Sequence, residues 1–121
     1  MDRCIKQTKP EEEFFTEERC HILELLNESD DRSQSLARSR VEPGVTTAWH
    51  RLKGTTELYY ILSGEGQVEL GEDFVRQIAI NDVVRIPADI PQRITNTGTE
   101  DLIFLCFCTP AFQDGCYEEL E

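Results

Sequence analysis

From residue 35 onward the chain alternates short apolar runs with turn residues, and this pattern predicts strands. Turn segments such as Pro43-Gly44, 63–66 and 96–98 recur at intervals of about 8–12 residues, the spacing of all-β sandwiches and barrels. The predicted strands, all rich in β-forming residues, are 36–41, 46–52, 57–62, 66–70, 74–78, 82–86, 92–96 and 102–108. Because no helix separates them, we expect antiparallel pairing and an all-β jelly roll.

The first third of the chain is polar and has a weaker pattern. Pro10 followed by three glutamates is typical of a first helical turn. Residues 14–26 fit an amphipathic helix or a strand over 20–26, and periodicity leaves both open, although we favour the strand. We therefore predict a single domain over 1–121, with an N-terminal extension at 1–34, a barrel at 35–112 and an acidic C-terminal tail at 113–121.

The net charge limits the classes of binding partner that we expect, and the cysteine pattern bears on the cellular compartment. The 121 residues carry 24 acidic and 12 basic side chains, for a net charge of -12, which disfavours nucleic acid and anionic membranes as partners. The acidic runs at 11–13, 17–18 and 118–119 are expected to be solvated surface. No apolar segment has the length of a membrane span or the pattern of a secretory signal, so we expect a cytoplasmic protein. The five cysteines include no CxxC pair and are interpreted as reduced thiols.

Two segments, 44–64 and 81–96, contain residues that suit a chemical site. Side chains two apart on a strand share a face, so His50 lies beside Leu52, and Glu57 beside Tyr59. If that face lines the barrel, His50, Glu57 and Gln92 can converge and offer one nitrogen and two oxygen donors, a set that suits a divalent first-row metal. A hydrogen bond between His50 and Glu57 without metal would also satisfy both groups.

These segments resemble the two motifs of the cupin superfamily, written G-x5-H-x-H-x3,4-E-x6-G and G-x5-P-x-G-x2-H-x3-N. Gly44, His50, Glu57 and Gly64 keep the spacing of the first motif, and Pro87, Gln92 and Asn96 keep that of the second. The resemblance covers about 36–112 and implies a double-stranded β-helix, commonly a dimer, that often holds iron, manganese, nickel or zinc.

The chain departs from both motifs at positions that matter for metal binding. Leu52 replaces the second histidine and Gln92 the third, while Asn81 and Asp89 replace glycines. Leucine cannot ligate and a neutral amide is a weak ligand, so the predicted metal residues His50, Glu57 and Gln92 would hold an ion only weakly.

The predicted pocket comprises four further residues, of which Cys106 is assigned because the resemblance implies that this position faces the cavity. The pocket residues are Leu52, Tyr59, Ile94 and Cys106. No nucleotide cofactor is expected.

The functional prediction is a small cytoplasmic cupin with a degenerate divalent-metal site that binds or transforms a small molecule. The alternative is a metal-free cupin that serves as a small-molecule or sugar-binding module, or as a dimeric scaffold without catalysis. Cupins include dioxygenases, isomerases, epimerases and lyases, so the fold leaves open whether this chain is an enzyme.

Overall fold

Two antiparallel sheets pack face to face in a jelly-roll-like β-sandwich. The computed structural model describes residues 4–121, which form β1 (Phe14–Phe15), β2 (His21–Leu26), β3 (Ser35–Val41), β4 (His50–Leu52), β5 (Thr56–Ser63), β6 (Glu65–Leu70), β7 (Phe74–Ala79), β8 (Val83–Ile86), β9 (Gln92–Asn96), β10 (Leu102–Thr109) and β11 (Tyr117–Glu119). One sheet has the order β1-β2-β3-β10-β5-β8, and the other the order β11-β4-β9-β6-β7. Within the described residues, no helix is long and apolar enough to cross a membrane.

The alternating pattern of β5 places its side chains on opposite faces of the six-stranded sheet. Glu57, Tyr59 and Ile61 are buried between the sheets, whereas the residues between them point outward. β10 lies beside β5 and has the same alternation, with Phe104 packed against the Tyr59 ring at 4.5 Å between centroids. The core continues across the sandwich through apolar residues that are at most 2% exposed, Val41, Ile61, Val68, Ile86, Ile94, Leu102 and Phe104.

The N-terminal third forms part of the six-stranded sheet. The favoured strand within 14–26 is confirmed: β2 begins at His21 and pairs with β3, and its Leu23 is only 1% exposed. The turn that follows from Pro10 is a short 3-10 helix over Pro10–Glu12. The predicted extension therefore adds strands to the sandwich and covers its core.

The strand predicted over 46–52 is regular only from His50 onward. Before His50, two hydrogen bonds depart from the backbone pairing pattern of a sheet. The Ala48 N–H donates to the Glu18 carbonyl at 3.0 Å. The Thr47 hydroxyl accepts the Ile94 N–H at 3.0 Å, in a place where a sheet would use a backbone oxygen. This detour brings residue 18 next to the start of β4.

The C-terminal end, predicted only as an acidic tail, contains a strand. β11 pairs antiparallel with β4, in a register that sets Tyr117 opposite Leu52 and Glu119 opposite His50. The chain is fixed further on by Glu121, whose carboxylate accepts the Trp49 N–H at 2.8 Å and an N–H of Arg19 at 3.2 Å. Pairing with β4 therefore orders a C-terminal segment that its acidic composition alone would place in solvent.

Candidate functional site

A cavity of about 660 Å³ lies between the two sheets. β2, β3, β5 and β10 line one side, and β4, β9 and β11 contribute residues from the other. The residues predicted for the pocket, Leu52, Tyr59, Ile94 and Cys106, all line this cavity. Its volume falls in the range of about 300–1,000 Å³ that is typical of small-molecule sites.

His50 lies on the cavity wall at the start of β4 and is 5% exposed. Its Nδ1 lies 2.7 Å from the Ala48 carbonyl oxygen, and because a carbonyl can only accept, Nδ1 carries a proton. The ring stacks on Tyr117 with 4.8 Å between centroids, and the Glu18 carboxylate lies 3.7 Å from Nδ1. Within residues 4–121, no hydrogen bond engages Nε2, so in the neutral ring this atom is an unused acceptor on the cavity wall.

Glu57 is held in a buried hydrogen-bond network with Gln92 and Tyr59. The Gln92 amide nitrogen donates to Glu57 Oε1 at 3.0 Å, and the Tyr59 hydroxyl donates to the Gln92 amide oxygen. The Cys108 thiol approaches the other carboxylate oxygen, Oε2, at 3.7 Å. Gln92 itself is 1% exposed and is not among the residues that line the cavity.

Burial raises the pKa of the Glu57 carboxyl to about 7. The hydrogen bond from Gln92 lowers this pKa, the charge of Glu18 raises it, and the hydrogen bond from the Cys108 thiol lowers it. Burial likewise raises the pKa of Glu18, although His50 and Arg19 act against it.

Three buried cysteines, Cys20, Cys106 and Cys108, also line the cavity as free thiols. Burial raises the pKa of Cys20 to about 12, and burial likewise raises that of Cys106, whose sulfur contacts the Ser39 hydroxyl at 3.2 Å. Since the thiolate is the reactive form, these cysteines act as neutral, apolar parts of the wall at physiological pH.

Sequence reasoning missed two residues next to His50. Glu18 belongs to an acidic run that we expected to be solvated, yet its side chain is only 20% exposed and faces the imidazole. Tyr117 lies on the strand that was interpreted as a tail. Both reach His50 through pairings between distant parts of the chain, and neither residue has a local pattern that would have identified it.

Comparison with known proteins places this arrangement in a family. The family model described as a Cupin domain matches residues 37–108. A relative, an uncharacterized protein of Methanocaldococcus jannaschii, is 32% identical over 110 residues, which cover 89% of this chain and 87% of that protein. The chain belongs to the cupin family. The proposed resemblance and the jelly-roll fold class are thereby confirmed.

Two other cupin-like proteins extend the comparison. The oxalate-binding protein of Thermotoga maritima is 36% identical over 76 residues, so the match spans 62% of this cupin and 61% of that relative. The Streptomyces nucleoside dehydratase Pac13 shares the fold with a TM-score of 0.80 at 17% identity, covering 97% of this chain and 92% of its own. The second likeness concerns the fold alone.

Cupins often hold a metal, but the residues present here do not fit a resident metal ion. Within residues 4–121, no group of three or more His, Cys, Asp or Glu side chains is arranged to bind one. The predicted ligand Gln92 has its oxygen engaged by Tyr59 and its nitrogen by Glu57. Leu52 fills a further ligand position with hydrocarbon that is 3% exposed. His50 and Glu57 alone remain, one nitrogen and one carboxylate, short of the three protein ligands usual in catalytic zinc sites.

Proposed function

We propose that this cupin binds a small organic molecule in the cavity and exchanges protons with it at Glu57 and His50, without a resident transition metal. The observation that carries the proposal is the buried Glu57 carboxyl on the cavity wall, whose pKa burial raises to about 7, beside a Gln92 amide that is already engaged through both its oxygen and its nitrogen. Of the two functions derived from the sequence, this is closer to the metal-free alternative.

The two wall residues suit opposite roles in proton transfer. A carboxyl with a pKa of about 7 is present in both protonation states near neutral pH, where general acid–base catalysis is most effective. His50 offers Nε2 as a proton acceptor, because its Nδ1 proton is held by the Ala48 carbonyl. Glu18 can stabilise the imidazolium that would form, since its carboxylate is 3.7 Å from the ring.

Metal content tests this proposal directly. Protein purified without chelators and without a nickel-affinity tag should carry far less than one ion of iron, manganese, nickel or zinc per chain. The same low content is expected for His50→Ala, and added zinc should leave the unfolding temperature unchanged. Near-stoichiometric metal that disappears in His50→Ala would overturn the proposal and restore the His50, Glu57 and Gln92 set as a metal centre.

We also propose that two chains associate through the outer face of the six-stranded sheet. Leu58, Tyr60 and Leu62 of β5 point outward there, beside Val83 of β8 and Phe107 of β10, and these five side chains are 36–62% exposed. Register places Val83 opposite Tyr60 and Phe107 opposite Leu58, so the apolar side chains are contiguous. Arg85 of β8 lies opposite Leu58 at the border of this patch, and a contiguous exposed apolar patch with a polar border is typical of an interface.

Analytical ultracentrifugation tests the dimer. The wild-type chain should sediment at about twice its mass of 13.9 kDa, and Phe107→Glu should sediment as a monomer because it places a charge in the apolar face. Val75→Glu, at an exposed valine of the other sheet, is the control and should remain dimeric. A monomeric wild-type chain would contradict the proposal.

We likewise propose a cytoplasmic location, because buried cysteines without a disulfide are typical of proteins in reducing compartments. Cys20, Cys106 and Cys108 are free thiols in a small domain that uses no disulfide within the described residues.

A further inference from the structure

We propose that the cavity selects positively charged small molecules, organic amines or guanidines, over neutral and anionic molecules of the same size. This inference rests on the proposed small-molecule function and names the ligand class for that cavity. It comes from the charges and the hydrogen-bonding character of the wall.

The ionisable groups around the cavity are almost all acidic. Among the residues that the structure describes, its lining includes six carboxyl side chains and no lysine or arginine. The six are Glu17, Glu18, Glu24, Glu57, Asp114 and Glu119. An anion that entered would meet repulsion from several of these groups and would find no lysine or arginine among the described lining residues to bind it, whereas a cation would be attracted by the same field.

One of the deepest polar groups of the wall is an acceptor that lacks a donor among the described residues. His50 lines the cavity and is only 5% exposed. Within residues 4–121, its Nε2 has no hydrogen-bond partner. Because the Nδ1 proton is committed to the Ala48 carbonyl, the neutral ring can only accept at Nε2. Glu18 and Glu57 add carboxylate oxygens, and Glu57 has no cationic partner within residues 4–121. A ligand rich in N–H donors satisfies such a wall, and an ammonium or guanidinium group supplies them.

Aromatic rings complete a lining that suits a cation. Tyr59, Phe104 and Tyr117 line the cavity together with Phe14 and Phe112. Tyr117 is stacked on the His50 ring, whose Nδ1 lies 3.7 Å from the Glu18 carboxylate. The combination of aromatic rings and carboxylates is the chemistry by which proteins bind organic ammonium ions.

Three probes of nearly equal size separate charge from shape: benzylamine, benzyl alcohol and benzoate. Ligand-observed NMR or calorimetry near pH 8 should give benzylamine an affinity at least about ten-fold higher than benzyl alcohol, with benzoate the weakest. Glu18→Gln and Glu57→Gln should each reduce the preference for benzylamine several-fold. Glu72→Gln is the matched control, because Glu72 lies in an exposed turn, and it should leave the preference unchanged.

The outcomes distinguish this inference from the proposed function. If benzyl alcohol or benzoate binds as well as benzylamine, the cavity takes small molecules but the charge selection is wrong. If the preference for benzylamine persists in both Glu18→Gln and Glu57→Gln, the selection does not arise from this wall and the inference is overturned. If none of the three probes binds, both the inference and the small-molecule function are overturned.

Discussion

Glu57→Gln should raise the free energy of unfolding at about pH 8 by about 3 kcal/mol. The carboxyl has a pKa of about 7 in the folded chain against an ordinary value of 4.5, because burial penalises its charged form. Folding therefore favours the protonated acid, whose stabilising contribution is complete below about pH 4.5 and is lost as the pH rises through about 7. Glutamine keeps the acceptor for the Gln92 N–H and never ionises.

Urea unfolding at a series of pH values measures this effect. The difference between Glu57→Gln and the wild-type chain should grow from about pH 4.5 and level off above about pH 7. Other titratable groups face the same region, Glu18, Tyr59, Cys106 and Cys108, but they are retained in both proteins. Glu72→Gln, in an exposed turn, should follow the wild-type profile. A Glu57→Gln protein that is less stable than wild type at about pH 8 would show that the ionised carboxylate has a partner, and our account would fail.

Gln92→Leu should destabilise the folded chain by about 4 kcal/mol. The amide satisfies two buried groups at once, the Tyr59 hydroxyl and the Glu57 carboxyl, and a leucine of similar volume satisfies neither. Each buried polar group left unpaired costs about 1–3 kcal/mol. Because glutamine and leucine have similar volumes, a cavity contributes little. The loss of stability therefore measures the hydrogen-bond network of Tyr59, Gln92 and Glu57.

Two comparisons isolate the network in this prediction. Tyr59→Phe in the Gln92→Leu background should recover part of the loss, because it removes one of the two unpaired groups. Gln77→Leu is the matched control, since the Gln77 amide donates to Gln67 at 3.0 Å on the exposed surface and should change stability by less than about 1 kcal/mol. Equal effects of Gln92→Leu and Gln77→Leu would contradict the role that we assign to Gln92.

The regular strands could be predicted from the sequence because their patterns are local. β5, β9 and β10 alternate buried and outward residues between clear turn signals, so their position and facing follow from a period of two. β11 and the shortened β4 could not be predicted in this way. They depend on Tyr117 pairing with Leu52 and on the Ala48 N–H reaching Glu18, contacts between residues about 30–65 positions apart that leave no periodic signal.

The candidate site was predictable in its positions but not in its chemistry. The motif spacing predicts His50, Glu57 and Gln92 as site residues. In the structure, Glu57 and Gln92 are in direct contact. Spacing carries no information about the direction of hydrogen bonds, and the direction decides here that the Gln92 oxygen serves Tyr59 rather than a metal. Glu18, whose carboxylate lies 3.7 Å from His50 Nδ1, lies outside the motif altogether.

The protonation of Glu57 is the most direct test of a cavity that works with protons and holds no resident metal. In protein labelled with carbon-13 at glutamate side-chain carboxyls, the signal absent from Glu57→Gln identifies this residue. We predict that it titrates with a midpoint of about 7 and that equimolar zinc does not move it. A carboxyl that stays ionised down to about pH 4.5, or a signal that shifts on addition of zinc, would contradict the account.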